Sequence, residues 1–455
     1  MEANQQSTFK KITQGYTSKI FLLVGILLLL LIPLLMIRNL INERNWTANQ
    51  AEAEIMEAWG SQLVTAGPFI AIPGIRTLEY GRSQPFTLIL TPAQLTITAG
   101  FETEIRRRGI FSVPLFSGQL SLDGSFNPAS ALAALLPNEE VFFEQAELII
   151  ALSNQKGIRR IDRAHWNSQE LFLQPGSRGQ NTSDMVISDR VRFNGAPMRN
   201  GIFAVVPEFT NSESEFNITI AIQGGQFIRF LPIGQDTHVN ISTDWSSPSF
   251  QGSFLPSSSN ITDDGFDALW DISYLSRDIP LFWKNETGTH GIDYSNLMFG
   301  VNFFRTIDTY ALNDRAVKYA FLFLIVPFLT LFLLEILSKK KIHPVPYMLS
   351  GIANVVFYLL LLSLSEQIQF SLAYLIAASA VTVMMTLYSR SLLPSWNKSW
   401  YMGLVVIISY ILLYVLLNAE TYALLIGSIG IFVMIALIMF LTRKFDWYGS
   451  SEETQ

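Results

Sequence analysis

The sequence predicts an α-helical membrane protein with a six-span transmembrane bundle and a large, mainly β extracytoplasmic domain inserted between spans 1 and 2. Five hydrophobic stretches follow one another between Lys318 and Lys444. Each is near the roughly 20 apolar residues that cross a bilayer core of about 30 Å. A further uncharged run covers residues 20–37. Between these regions, apolar and polar residues alternate in short runs, as they do in half-buried β-strands.

The composition supports a membrane protein and disfavours several classes of chemistry. Hydrophobic residues make up 49% of the chain and charged residues only 15%, whereas soluble domains carry about 25% charged residues. The net charge of −6 gives no reason to expect nucleic acid as a partner. The chain has no cysteine, which excludes disulfides and thiolate sites. The four histidines are far apart, so we predict no metal site and no cofactor.

The N-terminal region is predicted to be an anchor. Residues 1–19 form a polar tail with three lysines, which we place in the cytoplasm. The run at residues 20–37 is longer than the about 7–15 residues of a signal-peptide core, and no small-residue cleavage site follows it directly. We therefore predict an uncleaved transmembrane helix 1. A helical stalk over residues 40–59 is predicted to continue it and to end at Gly60.

Residues 38–316 are predicted to form the extracytoplasmic domain. Alternating runs such as Glu147–Ala151 and Glu215–Ile222 are separated by turn residues such as Asp123-Gly124. This pattern is typical of antiparallel sheet in a sandwich or barrel. The domain is either one unit or two lobes, with the polar stretch 181–199 as a loop between the lobes.

The C-terminal region, residues 317–442, is predicted to be a five-helix bundle. Its spans are placed at about residues 317–337, 347–365, 369–389, 400–418 and 421–442, followed by a cytoplasmic tail at residues 443–455. Lysine and arginine concentrate in cytoplasmic loops. With six spans, every short basic segment falls on the side of the N-terminal tail, and the connections around Glu366 and Glu420 carry no basic residue. Both termini are therefore predicted to be cytoplasmic.

Two charged clusters in the outer domain are candidate binding sites. Arg106, Arg107 and Arg108 would suit lipid phosphates or lipopolysaccharide, since arginine binds phosphate bidentately. The alternative is ordinary ion pairing within the domain. Asp263 and Asp264 would suit a sugar or calcium, but the spacing of a calcium loop is missing. The alternative is a solvated acidic turn before an aromatic segment. There Phe266, Trp270 and Tyr274 have the spacing of a helix face.

Within the membrane spans, Glu335 and Asn354 are the informative polar residues. A carboxylate in a span is a functional candidate. The alternative for Glu335 is a structural ion pair with Lys339–Lys341, one turn further on. Asn354 is predicted to form hydrogen bonds between helices. No charge lies in the middle of a span, which disfavours an ion-coupled transporter.

Several strings along the chain resemble one family. They are Leu28–Arg44 (LLLLIPLLMIRNLINER), Gly67–Pro73 (GPFIAIP), Pro248–Pro256 (PSFQGSFLP), Tyr310–Tyr319 (YALNDRAVKY), His343-Pro344, Phe357–Glu366 (FYLLLLSLSE) and Phe440–Tyr448 (FLTRKFDWY). Their order and spread resemble the CreD family of inner-membrane proteins of Gram-negative bacteria. The resemblance implies an envelope-integrity protein under two-component control, linked to colicin tolerance and the response to β-lactams. It supplies no catalytic residues.

These observations predict a non-enzymatic inner-membrane protein whose β domain binds or senses an envelope component. Its partners are the lipid bilayer together with periplasmic or envelope proteins, or lipid headgroups. The alternative is a transporter or lipid-flippase-like protein with a periplasmic accessory domain. A periplasmic hydrolase is disfavoured, because the sequence has no nucleophile elbow, phosphate loop or zincin helix.

Overall fold

The computed structural model describes residues 16–109, 111–176, 192–193, 196–197, 201–286, 294–303, 309–338, 341–392, 396–419 and 422–443. The chain divides into two compact units. The helical unit contains Met1–Ala48 and Ile307–Gln455, and the β unit contains Asn49–Thr306.

Six long helices are found in the described chain. They are α1 (Tyr16–Trp59), α3 (Thr309–Ser338), α4 (Pro344–Ser365), α5 (Phe370–Leu392), α6 (Trp396–Asn418) and α7 (Ala423–Thr442), and a short helix, α2 (Ala129–Ala133), lies in the β unit. Of the described helices, α1 and α3–α6 are long and apolar enough to cross a membrane. The apolar part of α7 whose side chains are described is shorter, Ala423–Val433. The division between the units falls within α1, whose C-terminal part is the predicted stalk.

The β unit contains two large sheets. The ten-stranded sheet contains β1 (Leu63–Thr77), β2 (Ser83–Leu90), β5 (Glu139–Val141), β6 (Glu147–Leu152), β9 (Gln174–Pro175), β12 (Gly201–Val205), β14 (Phe227–Phe230), β16 (Pro248–Gly252), β19 (Phe282–Glu286) and β20 (Phe299–Phe303). The eight-stranded sheet has the order β17 (Ser258–Thr262), β18 (Gly265–Ser273), β15 (Asp236–Thr243), β3 (Gln94–Arg108), β4 (Phe111–Phe126), β13 (Ser214–Gly225), β7 (Ile158–Trp166) and β8 (Gln169–Glu170).

The two sheets share one hydrophobic core. Phe69 and Ile149 from the ten-stranded sheet are buried in the same cluster as Ile97 and Leu122 from the eight-stranded sheet. The described β region is therefore one compact unit that contains two sheets. The stretch predicted as a loop between lobes lies mostly outside the described residues. Within it, β10 (Arg192–Phe193) and β11 (Ala196–Pro197) form a short hairpin.

The prediction of a wholly antiparallel sheet is wrong at two places. β1 pairs in parallel with β14, and β3 pairs in parallel with β15. Parallel neighbours need a long crossover connection, so the partners are distant in sequence. Local alternation reports which face of a strand is buried, but not which distant strand lies beside it.

The predicted helical face at Phe266–Tyr274 is also wrong, since this segment is strand β18. Along β18, the alternate residues Phe266, Ala268, Trp270 and Ile272 are buried. A spacing of four residues is close to one helical turn and equals two strand periods, so the three aromatic residues alone did not separate the two structures. The exposed aspartates between them favour the strand.

A buried carboxylate ties together three parts of the ten-stranded sheet. Glu139 on β5 accepts hydrogen bonds from Arg76 Nη2 on β1 (2.7 Å), Lys284 Nζ on β19 (2.5 Å) and the Leu136 N–H (2.8 Å). Burial would raise the pKa of Glu139, but the hydrogen bonds from Lys284, Leu136 and Arg76 lower it to about 2. The carboxylate is therefore ionised at neutral pH.

We predict that Glu139→Gln lowers the free energy of unfolding by about 3 kcal/mol at pH 7, because it leaves two cations short of their buried partner. The folded pKa lies below the usual value of 4.5. The stabilisation is therefore present above about pH 4.5 and is lost as the pH falls towards 2. Urea unfolding of the detergent-solubilised protein at pH 7 and pH 3 measures both effects. Glu140→Gln, at the exposed neighbouring position, is the control. Equal stability of the two variants at pH 7 would contradict this role of Glu139.

Candidate functional site: the buried polar contacts of the helical unit

Three helices meet at an ion pair that contains the predicted site residue Glu335. Lys19 Nζ on α1 donates to both carboxylate oxygens of Glu335 on α3 at 2.5 Å and to the Ile342 carbonyl at 2.6 Å. The Tyr347 hydroxyl on α4 donates to Glu335 Oε2 at 2.8 Å. The Glu335 side chain is only 5% exposed. The ammonium thus has three acceptors, and the carboxylate has two donors.

The predicted partner of Glu335 was the lysine run that follows it. The structure places Lys19 there instead, and Lys339 and Lys340 lie outside the described residues. Glu335 is three residues from the described end of α3, and Lys19 precedes the apolar run of α1. Two charges that each border an apolar segment can neutralise each other only if the two helices are adjacent. Adjacency was the information that the sequence lacked.

A proline in α3 explains the position of Asn354. Pro327 lies inside the helix and has no N–H, so the carbonyl of Phe323, four residues earlier, has no donor within the helix. Asn354 Nδ2 on α4 donates to this carbonyl at 2.9 Å. Asn354 is 2% exposed. Its amide therefore replaces the hydrogen bond that the proline removes, and the predicted contact between helices is confirmed.

The hydrogen bonds continue from Asn354 into two further helices. The Tyr410 hydroxyl on α6 donates to Asn354 Oδ1 at 2.9 Å, which fixes the orientation of the amide. The Tyr374 hydroxyl on α5 donates to the Tyr410 carbonyl at 2.6 Å. The ring of Phe357 packs against the ring of Tyr410, with 4.4 Å between their centroids. One chain of hydrogen bonds thus links α3, α4, α6 and α5.

The end of the helical unit near Glu366 is also held by polar contacts. Asn313 Nδ2 on α3 donates to Ser365 Oγ on α4 at 2.9 Å. The Tyr310 hydroxyl donates to Glu366 Oε1 at 3.2 Å, and Arg44 Nε lies 3.8 Å from the same oxygen. The α1, α3 and α4 helices are therefore joined by polar contacts at both ends as well as by their apolar core.

A groove of about 580 Å³ lies between α5 and α6. Its lining is mostly apolar, with Leu375, Ala378 and Ile407 among the contributing residues. The Thr382 side chain and the Tyr410 and Tyr414 rings also line it. Tyr414 donates to Ser371 Oγ at 3.1 Å. The groove presents hydrocarbon rather than charge, and it would accommodate an apolar chain.

The predicted arginine cluster lies at the end of the β3–β4 hairpin. The Arg106 guanidinium lies 3.7 Å from the centre of the Trp59 ring, and its Nε is 3.2 Å from Glu104 Oε1. Arg108 forms an ion pair with Glu54 of α1. Arg107 is exposed beside them. Two of the three arginines are therefore used within the β unit, as in the ion-pairing alternative.

The predicted acidic cluster lies on a different hairpin. Asp263 and Asp264 form the exposed turn between β17 and β18. In the described part of the chain, no three His, Asp or Glu residues are arranged to hold a metal ion. The structure does not bring these aspartates together with the arginines into one site, and the solvated-turn alternative describes them.

Sequence reasoning missed Lys19, Tyr347 and Tyr410. The signals were weak but present. Pro327 within a span requires a donor from a neighbouring helix, and Asn354 was the only asparagine in the predicted span 347–365. The tyrosines of the spans carry hydroxyls that need partners when buried.

Comparisons with known proteins place the chain in a family. A family model described as inner membrane protein CreD matches residues 15–448. Inner membrane protein CreD of Escherichia coli (strain K12) is 28% identical over 442 residues, which covers 94% of this chain and 93% of that relative. A solved structure from Parabacteroides distasonis ATCC 8503, described as a putative protease, shares 8% identity with a TM-score of 0.25, covering 70% of this chain and 58% of its own. That score is too low to carry an argument.

The family match includes the membrane helices, the strands of both sheets and the residues of the buried contacts described above. The chain therefore belongs to the CreD family of inner membrane proteins.

Proposed function

We propose that this protein contributes to the integrity of the cell envelope without being an enzyme, and that it acts in envelope stress or in the response to β-lactams and colicins. Its β unit lies on the periplasmic side and binds or senses an envelope component. The observation that carries the proposal is that the buried polar groups described in the helical unit already bind one another. Glu335, Lys19 and Asn354 are all engaged between helices, which favours an anchor over a conducting path.

The proposed topology has six spans, with α7 as the sixth, and both termini in the cytoplasm. The distribution of lysine and arginine among the short connections supports it. The connection that precedes α4 contains Lys339–Lys341, whereas the β unit lies between α1 and α3 in the chain. The two regions are therefore expected on opposite sides of the membrane.

Fusions to a periplasm-dependent phosphatase test this topology. We expect an active enzyme when it follows Arg199 and an inactive one when it follows Lys341. A fusion after residue 366 should again be active, and a fusion after Lys398 inactive. The reverse pattern would refute the orientation, and an active fusion at the C-terminus would refute the sixth span.

Replacement of the buried ion pair by apolar residues separates an anchoring role from a conducting one. Glu335→Ala leaves the Lys19 ammonium buried without its counter-ion, and we expect a loss of about 3–5 kcal/mol in stability. Lys19→Met combined with Glu335→Leu removes both charges and should recover most of that loss. Thermal unfolding in detergent measures stability, and complementation of a deletion strain measures function. An anchor predicts that the double variant complements. A folded double variant that does not complement would assign the Lys19–Glu335 pair a direct role in function.

One observation favours the alternative, a lipid-flippase-like function. The groove between α5 and α6 is large and apolar and is bordered by the hydroxyls of Ser371 and Thr382. A path for a lipid would need such a surface for the acyl chain. The groove is nevertheless lined by no charged residue that would carry a headgroup, so the anchoring function is the better supported of the two.

Deletion of the gene tests the envelope role directly. We expect the deletion strain to become more sensitive to detergents and to wall-active β-lactams, with sensitivity restored by the intact chain. The measurement is the inhibitory concentration across a panel that includes antibiotics with cytoplasmic targets as the control. Unchanged sensitivity to every envelope-directed compound would contradict the proposal.

A further inference from the structure

The outermost strand of the eight-stranded sheet, β17, is exposed along its whole length. It pairs with β18 on one side through an unbroken register from Ser258↔Leu269 to Thr262↔Gly265. All five of its residues are exposed. In the described part of the chain, no strand pairs with its other side. The strand therefore presents a row of backbone donors and acceptors that no other described strand pairs with.

The other edges of the two sheets carry features that discourage pairing with another chain. Proteins protect such edges with very short strands, proline or charged side chains. β8 has two residues and ends in Glu170, and β9 has two residues and includes Pro175. β16 begins with Pro248, and β19 contains Lys284 and Glu286. β17, with the sequence SSNIT, has neither proline nor charge. It is the unprotected edge among those described.

Exposed apolar side chains lie in and beside this edge. Ile261 in β17 is 50% exposed, although its cross-strand partner Phe266 is buried in the core. Leu255, just before the strand, is 73% exposed, and Leu275, just after β18, is 81% exposed. An added strand that placed an apolar side chain beside Ile261 would extend the apolar face of the sheet and remove it from water.

The charge of the region indicates the chemistry of the partner. Residues 245–276 contain four aspartates and no lysine or arginine. Asp263 and Asp264 form the turn at the end of β17, and Asp267 is the cross-strand partner of Asn260. A second copy of this chain would bring the same acidic turn to the edge and would be repelled. A basic segment would be attracted.

We propose that β17 accepts an extended segment of another polypeptide as an additional strand, and that this segment alternates apolar residues with lysine or arginine. Strand addition of this kind takes its affinity from main-chain hydrogen bonds and its specificity from alternate side chains. The inference deepens the proposed function and rests on it, since it names the class of partner that the β unit binds.

The absence of native cysteine allows a site-specific test on the full-length protein in a neutral detergent. Asn260→Cys places a thiol on β17, and Asn240→Cys places one on the central strand β15, where both sides of the strand are already paired. Both positions are exposed. The probe is a ten-residue peptide of alternating lysine and valine with one cysteine near its middle, which is activated as a disulfide with 2-thiopyridine. The protein thiolate attacks the peptide sulfur, and 2-thiopyridone leaves, so the exchange needs no added oxidant. We expect the yield of mixed disulfide at Asn260→Cys to be about tenfold higher than at Asn240→Cys.

Two further peptides separate strand addition from simple attraction of charge. The same peptide with methyl groups on alternate backbone nitrogens keeps its charge but cannot form the ladder, and its yield should fall to the level of Asn240→Cys. A peptide of alternating glutamate and valine should give a similarly low yield. Equal yields for the methylated and unmethylated lysine peptides would overturn the proposal. So would equal yields at the two cysteines, or a disulfide-linked dimer of Asn260→Cys in place of the peptide adduct. Because no cell is used, these results are independent of the sensitivity of the deletion strain.

Discussion

The helical unit depends on one constraint, which is that hydrocarbon offers no hydrogen-bond partner to a buried polar group. Pro327 creates such a group by leaving the Phe323 carbonyl without a donor, and Asn354 answers it from the next helix. The amide then needs a donor for its own oxygen, which Tyr410 supplies. In this chain of hydrogen bonds, each polar residue satisfies a group that the previous residue leaves without a partner. The order of the helices is fixed because a single pairing cannot be changed without leaving another group unpaired.

The same constraint governs the β unit, where the interior is apolar as well. Glu139 is held by two cations, and Arg277 is buried without a carboxylate beside it in any described contact. Arg277 instead donates to the carbonyls of Ile279, Ile233 and Gly234 at 2.6–2.9 Å. Burial lowers the pKa of its guanidinium to about 10, so it remains charged at neutral pH. Three carbonyl dipoles and the loop that carries them thereby take the place of a counter-ion.

The sequence was sufficient wherever the relevant physics is local. Alternation located β13, and a short apolar run located β6, because burial of one or both faces of a strand is visible in adjacent residues. Length and hydropathy located α1 and α3–α6 for the same reason. The parallel pairing of β1 with β14, and the pairing of Lys19 with Glu335, join residues far apart in the chain. Because the sequence shows only which residues are near one another in the chain, it predicted that Glu335 pairs with Lys339–Lys341. The contact of Asn354 was foreseen, but its cause required knowing that Phe323 faces it.

The hydrogen bonds and ion pairs described above indicate which parts of the molecule are available to bind a ligand. In the helical unit, the polar groups described above are used in holding helices together, so they have little left to offer a ligand. In the β unit, Glu139 and Arg277 are used in the same way, and most of the described sheet edges end in proline, charge or very short strands. An uncharged edge strand such as β17 has a cost, because it exposes the protein to unwanted association. A feature with that cost is expected to persist only where the free edge is used. The combination of a free edge, apolar side chains and excess acid is therefore the chemistry that best separates a binding surface from structural support in this protein.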